Sequence, residues 1–140
     1  DQVRNMSVVD YVTSKVTLST DNAQVRYLSG SYYQEDFGQL SRKHLNKAVK
    51  NLNRTEIYGT TERFSGLLSR LVDSLNWKIR HCILPKQRVS KENKLFSKSD
   101  LFTIAEYNLL DLQLWAYASH NVDKDYSLRR LTIEAASSFL

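Results

Sequence analysis

Apolar residues recur at helical spacing in three stretches of the chain. In the clearest stretch they follow offsets of 0, 3, 4, 7, 8 and 11, at Phe64, Leu67, Leu68, Leu71, Val72 and Leu75. Residues at these offsets share one side of a helix, so the pattern predicts a helix over Glu62–Leu75 with that side buried through its leucines. The same spacing predicts an amphipathic helix within Leu40–Leu52.

The third stretch predicts a long helix that starts at a cap formed by Ser99 and Asp100 and runs to about Ser119. Its expected apolar stripe consists of Leu101, Ile104, Ala105, Asn108, Leu112, Trp115 and Ala116. Ser7–Lys15 predicts a further helix of two turns, because four apolar residues cluster within it. A last helix is expected over Leu128–Ala136.

Between these helices the pattern predicts turns and short strands. Residues 23–30 predict a short helix that Gly30 closes, and residues 31–38 an irregular loop. Glu56–Gly59 and Trp77–Leu84 predict two brief strands, and Pro85 is expected to end the second. Helices alternating with strands are typical of an α/β layer fold, so we expect mostly helix with two or three short strands at most.

Composition places the chain among ordinary globular proteins. Its 140 residues are 41% hydrophobic and 25% charged, which fits one domain, and no apolar run approaches the roughly 18 residues that span a bilayer. Cys82 is the only cysteine, so no internal disulfide forms and a buried free thiol is expected. The chain begins at Asp1 rather than Met, and we expect a trimmed or incomplete chain.

Charge favours anionic partners. Twenty Lys and Arg against 15 Asp and Glu give a net charge of +5. Because acidic residues are interleaved in most segments, a solvated surface is the alternative interpretation. The segment Lys86–Lys91 places three cations and the Ser90 hydroxyl after a predicted strand, where loop donors converge on an anion; a solvated surface loop is the alternative here too.

Several kinds of site are not indicated. His44, His81 and His120 do not pair at metal-ligand spacing, so no metal site is expected. No nucleophile motif and no glycine-rich phosphate loop occurs, so binding the phosphates of a nucleotide would need residues outside this sequence. Two sequons, at Asn5 and Asn53, are glycan acceptors if the chain passes through a secretory lumen.

Four stretches of the chain, taken in order, resemble the motifs of one enzyme family. Asn22–Leu28 is similar to an Asn-x-Gln-x-Arg-x-Leu pattern. Ala48–Leu52 with Ile57–Phe64 resembles a passage in which a helix leads to a strand and a Thr-Glu pair opens the next helix. Ile83–Lys91 is similar to a proline-led loop, with Arg88 in place of Asn, and Glu106–Ala118 resembles a closing helix. The family that these stretches resemble is that of the Golgi-type carbohydrate sulfotransferases, notably heparan sulfate 6-O-sulfotransferases and their relatives.

The resemblance implies the C-terminal, helix-rich part of a P-loop-type α/β sulfotransferase domain covering residues 1–140. The resemblance implies that the complete domain transfers a sulfuryl group from 3′-phosphoadenosine 5′-phosphosulfate to an acceptor hydroxyl of a carbohydrate, without a metal. The phosphate loop and catalytic residues lie upstream in the family, so no catalytic residue is carried over and this chain alone is expected to be inactive. Its partners are then the nucleotide donor, the hydroxyl acceptor and the missing N-terminal part of the domain.

The resemblance also assigns cofactor-binding residues. Leu84, Pro85 and Lys86 match positions along the nucleotide, while Ser90 and Lys91 match the pair near its 3′-phosphate. The family's compartment is the Golgi lumen in eukaryotes, behind an upstream membrane anchor, and the cytoplasm in bacteria.

The residues outside these loops have simpler interpretations. Asn22, Gln24 and Arg26 are expected to tie segments together by side-chain hydrogen bonds, and Glu62 to favour a helix dipole. The alternative function is a non-enzymatic basic helical module that binds a glycosaminoglycan or nucleic acid. No nucleic-acid motif accompanies the eight tyrosines, which makes nucleic acid the less favoured partner.

Overall fold

The computed structural model describes residues 6–78 and 96–122, and this part of the chain is helix-rich, as predicted. Its helices are α1 (Val8–Thr13), α2 (Ala23–Ser29), α3 (Arg42–Leu52), α4 (Phe64–Ser74), α5 (Lys98–Tyr107) and α6 (residues 109–122). Short 3-10 turns occur at Leu18–Thr20 and Thr61–Arg63. The predicted helix over Leu128–Ala136 and the free Cys82 lie outside the described residues.

The sequence signals for helix ends mostly act as expected. The Ser7 hydroxyl accepts the main-chain N–H of Asp10 at 3.0 Å and starts α1. Gly30 ends α2 at a φ of 71°, in the left-handed region that favours glycine. The cap of α5 is Ser97 rather than Ser99 or Asp100: its hydroxyl accepts from Asp100 N–H at 3.1 Å, and the Asp100 carboxylate accepts the Ser97 N–H in return.

The core lies where α2, α3 and α6 meet. Its buried residues are Val25, Leu45, Ala48, Leu52 and Leu114. α3 supplies three of them at the predicted spacing, and α2 packs along it. Further apolar side chains of α6, those of Leu110, Tyr117 and Ala118, pack around this core. Three helices contribute to one apolar centre, which fixes their relative positions.

The strand predicted over Glu56–Gly59 is wrong, and no strand occurs in residues 6–78 or 96–122. A strand needs a neighbour to accept its main-chain hydrogen bonds. Here the Tyr58 carbonyl instead accepts from the Arg70 guanidinium of α4 at 3.4 Å. A Cβ on Gly59 would lie 2.9 Å from the Leu67 Cβ, so the main chain passes directly over α4. Of the strand predicted over residues 77–84, only Trp77 and Lys78 are described, and neither is in a strand.

The prediction that α4 buries its leucine face is also wrong for the described residues. None of its residues is buried, Leu67, Leu68 and Leu71 are half-buried, and Phe64 is 48% exposed. Periodicity groups these residues on one face but does not supply what covers it. In the described part of the chain the cover includes the loop around Gly59, which is too short to bury three turns of helix.

The long helix predicted after Asp100 is broken at Asn108, where φ is −122° and ψ is 26°. The predicted stripe therefore does not continue as the buried face: Leu112 and Trp115 are each 46% exposed. The buried positions of α6 are Leu114 and Val122, each 2% exposed. The break lets α6 dock by a different face from the one that a continuous helix would present.

Candidate functional site

The N-terminal ends of α2 and α6 cap each other. The Asn22 side-chain oxygen accepts the main-chain N–H groups of Leu110 at 2.8 Å and Asp111 at 3.0 Å. In return the Asp111 carboxylate accepts those of Gln24 at 3.0 Å and Val25 at 2.8 Å. The first turn of a helix leaves its N–H groups without partners, and here each helix receives its acceptor from the other.

Asn108 holds the same junction from the α5 side. Its side-chain oxygen accepts the Asn22 N–H at 3.2 Å, and its side-chain nitrogen donates to the carbonyls of Ile104 at 2.9 Å and Thr20 at 3.4 Å. Asn22 also donates to the Tyr107 carbonyl at 3.0 Å. The three side chains of Asn22, Asn108 and Asp111, called here the clamp, join two segments more than 80 residues apart in the chain.

Arg26 and Asp21 form a buried ion pair beside the clamp, with side chains 0% and 4% exposed. The Arg26 guanidinium donates to the Asp21 carboxylate, to the Asp21 carbonyl at 2.9 Å, and to the carbonyls of Glu35 at 2.6 Å and Asp36 at 2.8 Å. The Asp21 carboxylate also accepts the Gly38 N–H at 2.7 Å. The planar guanidinium thus holds the loop of residues 31–38 against α2.

Burial raises the pKa of the Asp111 carboxyl. Its two main-chain hydrogen bonds act in the opposite direction, and the negative charge of Asp21 adds to the upward shift. The cause that dominates is loss of solvent around a carboxylate that has no cationic partner in its hydrogen bonds to Gln24 and Val25. Asp111 is therefore a structural acceptor whose ionised form is not fully compensated.

α3 is tied to the same unit by two further contacts. The Asn51 side chain donates to the Leu28 carbonyl at 2.7 Å, and the Tyr117 hydroxyl donates to the Asn53 side chain at 2.9 Å. The expected tying role of Asn22 and Arg26 is confirmed. For Gln24 it is wrong, because Gln24 joins the clamp through its main-chain N–H and its side chain is exposed.

A groove of about 210 Å³ opens beside this unit. Its lining consists of Gln24, Leu28, Leu52, Tyr58, Gly59, Thr60, Thr61, Leu114, Trp115 and Ala118. All ten belong to the stretches 22–28, 48–52, 57–64 and 106–118. The groove combines an apolar floor with an indole, a primary amide and two hydroxyls, which can accept and donate hydrogen bonds to a neutral polar ligand.

Glu62 directly follows the groove residue Thr61, in the first turn of the 3-10 segment before α4. Its carboxylate accepts the Trp115 indole N–H at 3.4 Å, which links the 3-10 segment to α6. A hydrogen bond from its own main-chain N–H, followed by those from Thr60 and Trp115, lowers the pKa of Glu62. Glu62 is therefore ionised at neutral pH.

A larger cavity, of about 480 Å³, has Asn22 of the clamp in its wall. It is lined by Lys15, Asp21, Asn22, Phe37, Gly38, Leu40, Glu106, Tyr107, Leu109 and Leu110. The rings of Phe37 and Tyr107 meet at 5.8 Å between centroids, and the Lys15 ammonium lies 5.8 Å from the Phe37 centroid. Of the three clamp residues, Asn22 lines this cavity and none lines the groove.

The cofactor-binding residues predicted from the sequence, Leu84, Pro85, Lys86, Ser90 and Lys91, lie outside the described residues, so their positions relative to the groove stay predictions. Among residues 6–78 and 96–122, no three His, Cys, Asp or Glu side chains cluster as metal ligands. None of the helices in that part of the chain is long and apolar enough to cross a membrane.

Neither a family model, nor a curated protein, nor a solved structure matches this chain.

The sequence analysis did not identify Asp21 as a site residue. Asp21 directly precedes the Asn22–Leu28 stretch, and its position five residues before Arg26 was the available signal, because a buried arginine needs a carboxylate partner. Nothing in the sequence indicated the cavity that includes Lys15, Phe37 and Tyr107, because its walls come from four segments that are separated along the chain.

Proposed function

We propose that this chain is part of a sulfotransferase that transfers a sulfuryl group from 3′-phosphoadenosine 5′-phosphosulfate to a hydroxyl, most simply of a carbohydrate. The observation that supports the proposal is the convergence of the residues that carry the resemblance. Three of the four stretches lie in the described part of the chain, and between them they supply the whole lining of the 210 Å³ groove. Residues that resemble one family pattern also form one surface.

The groove is proposed as the surface that receives the acceptor. Trp115 is 46% exposed and offers an apolar ring face, while Gln24, Thr60 and Thr61 offer amide and hydroxyl groups. A sugar has apolar C–H faces and a rim of hydroxyls, so this mixture of groups complements it without a cation. Glu62 accepts a hydrogen bond from Trp115 and so restrains the indole at the groove wall.

The loop that includes Leu84, Pro85, Lys86, Ser90 and Lys91 is proposed to contact the nucleotide. A hydroxyl beside an ammonium suits a phosphate dianion, and the pair Ser90 and Lys91 is assigned to the 3′-phosphate. This sequence contains no glycine-rich phosphate loop, so the proposal assigns that loop and the catalytic residues to residues other than 1–140. The proposal therefore predicts no sulfuryl transfer by the isolated chain.

The nucleotide part is tested in the complete enzyme, by calorimetric titration with adenosine 3′,5′-bisphosphate and with adenosine 5′-monophosphate. Lys91→Ala should weaken the bisphosphate by roughly ten- to a hundredfold, because a charge-assisted hydrogen bond contributes about 1.5–3 kcal/mol, while the monophosphate changes little. Ser90→Ala should act in the same direction but less strongly. Lys86→Ala is the matched control, with a small loss that is equal for both nucleotides.

Equal losses for both nucleotides in all three variants would contradict the assignment. Salt-sensitive binding of any polyanion, with no preference for the 3′-phosphate, would favour the basic helical module that binds a glycosaminoglycan or nucleic acid. Sulfuryl transfer by the purified chain would show that the catalytic residues lie within residues 1–140.

The acceptor surface is tested by indole fluorescence, because the chain has two tryptophans. Trp77→Phe leaves Trp115 as the only indole, in the groove, and Trp115→Phe leaves Trp77, 50% exposed at the end of α4. An unsulfated glycosaminoglycan oligosaccharide should change the emission of the first variant in a saturable manner and leave the second unchanged. A response from Trp77 alone would place the acceptor elsewhere.

A further inference from the structure

The 480 Å³ cavity has the size of a small-molecule site and is separate from the groove proposed for the acceptor. It lies between the end of α1, the turn before α2, the loop of residues 37–40 and the junction of α5 with α6. Its apolar walls are the rings of Phe37 and Tyr107 and the side chains of Leu40, Leu109 and Leu110. Leu109 is 54% exposed, so the cavity is open to solvent at this wall.

Asp21 and Asn22, two of the polar residues in its wall, already use their side chains in hydrogen bonds within the protein. The Asp21 carboxylate accepts from Asn22, Arg26 and Gly38. The Asn22 side chain is used in the clamp, where it accepts from Leu110 and Asp111. These two residues therefore shape the cavity but add neither a net charge nor a strong free acceptor to it.

The remaining charges in the wall are those of Lys15 and Glu106, and they are opposite in sign. Both residues are exposed. Within residues 6–78 and 96–122, Arg26 pairs with Asp21 and the His44 imidazole lies 3.3 Å from the Glu35 carboxylate, and neither Lys15 nor Glu106 belongs to such a pair. Lys15 has a φ of 57°, which an L-residue rarely adopts, and its ammonium is held over the Phe37 ring at 5.8 Å.

The charge pattern selects a ligand class. An anion attracted to Lys15 is repelled by Glu106, and a cation attracted to Glu106 is repelled by Lys15. A molecule that carries both charges satisfies both side chains, provided that its body fits the aromatic and leucine walls. We infer that this cavity binds a small zwitterion with a large apolar body, of the α-amino acid class, with its carboxylate at Lys15 and its ammonium at Glu106. This inference does not rest on the proposed sulfotransferase activity.

The test uses three related probes and the whole chain. L-Tryptophan carries both charges, indole-3-propionate lacks the ammonium, and tryptamine lacks the carboxylate. Calorimetric titration should show the tightest binding for L-tryptophan, with about three- to tenfold weaker binding for each of the other two, since partly exposed charge pairs contribute modestly. The single-charge probes keep the indole, so the difference isolates the charges.

Two variants should then give a crossed pattern. Lys15→Gln should weaken L-tryptophan and indole-3-propionate but not tryptamine, whereas Glu106→Gln should weaken L-tryptophan and tryptamine but not indole-3-propionate. Lys50→Gln and Glu56→Gln are the matched controls, because both residues are exposed and neither lines the cavity. The inference is overturned if L-tryptophan shows no saturable binding at millimolar concentration, or if the cavity variants behave like the controls.

Discussion

Arg26 is the residue whose replacement should destabilise the chain most clearly. Its side chain is 0% exposed and donates four hydrogen bonds, one to the Asp21 carboxylate and three to main-chain carbonyls of residues 21, 35 and 36. Arg26→Met removes the charge and all four hydrogen bonds but keeps an apolar stem. The Asp21 carboxylate, 4% exposed, is then left buried without its cation.

The expected cost follows from this burial. Removing one partner of a buried ion pair costs about 3–5 kcal/mol, because the remaining charge stays desolvated. Arg26→Lys keeps the charge but not the planar fork, so at least one carbonyl loses its donor, at about 1–3 kcal/mol. Asp21→Asn should resemble Arg26→Met, since it leaves the guanidinium uncompensated. The double variant, Arg26→Met with Asp21→Asn, should lose less than the sum of the two single losses.

The assay is urea unfolding followed by circular dichroism at 222 nm, which reports the helices directly. A domain of this size is stable by only about 5–15 kcal/mol, so a loss of 3–5 kcal/mol moves the midpoint visibly or abolishes the transition. Arg26→Lys keeps the experiment informative if Arg26→Met does not fold. A loss below about 1 kcal/mol for Arg26→Met, or strictly additive losses in the double variant, would refute the reasoning from burial.

Further predictions concern the clamp and the core. Asp111→Ala should lower the free energy of unfolding by about 0.5–2 kcal/mol, as for a lost helix cap, and Asp111→Asn by less, because one acceptor remains. The pKa of Asp111 is raised, so the native state keeps the Asp111 proton to higher pH than the unfolded state does, and stability should fall as the pH rises through the folded-state pKa. Urea unfolding measured at several pH values above the usual Asp pKa of about 3.9 should show this fall in the parent chain and a smaller fall in Asp111→Asn. The same fall in both proteins would contradict the assignment to Asp111. Leu114→Ala, at 2% exposure, should cost about 2–5 kcal/mol, whereas Leu112→Ala, at 46%, should cost far less. A larger loss for Leu112→Ala than for Leu114→Ala in thermal unfolding would mean that α6 packs by the face predicted from the sequence.

The secondary structure that could be predicted depends on short-range signals. α3 forms where the spacing of its apolar residues predicts it, and Gly30 ends α2 because few other residues adopt its φ of 71°. The strand predicted over Glu56–Gly59 failed because strand propensity needs a partner, and the Arg70 guanidinium takes the Tyr58 carbonyl instead. Local pattern thus sets helices well and says little about extended segments.

Burial was harder to predict, because it depends on which elements meet. The leucines of α4 share one face as predicted, yet they are only half-buried among the described residues. In α6 the break at Asn108 exchanges the expected stripe for the face that carries Leu114. In the sequence, Asn108 is a polar position within the predicted apolar stripe. In the structure its side chain donates to the Thr20 carbonyl, 88 residues away in the chain, which a pattern of neighbouring residues cannot predict.

The tying role predicted for Asn22 and Arg26 was confirmed, whereas the predicted cofactor-binding residues lie outside the described residues and stay predictions. The stretches that carry the resemblance also contain Asn51 and Asp111, and each of these makes a hydrogen bond to a different segment. What the pattern did not reveal was the reciprocal arrangement. A capping residue is normally sought within a few positions of its helix, while Asn22 and Asp111 cap across a separation of 89 residues.

Gln24 belongs to both the clamp junction and the groove, but it contributes different atoms to each. Its main-chain N–H donates to Asp111, so the clamp keeps this bond whatever side chain stands at position 24. Its side chain is exposed and lines the groove. Asp111→Ala should loosen the junction that positions Gln24. A loss of oligosaccharide binding in that variant would therefore not show that Asp111 contacts the ligand. Gln24→Ala removes an amide from the groove wall and leaves every clamp bond in place. If Gln24→Ala binds the oligosaccharide more weakly while its free energy of unfolding is unchanged, the Gln24 side chain contacts the ligand in the groove.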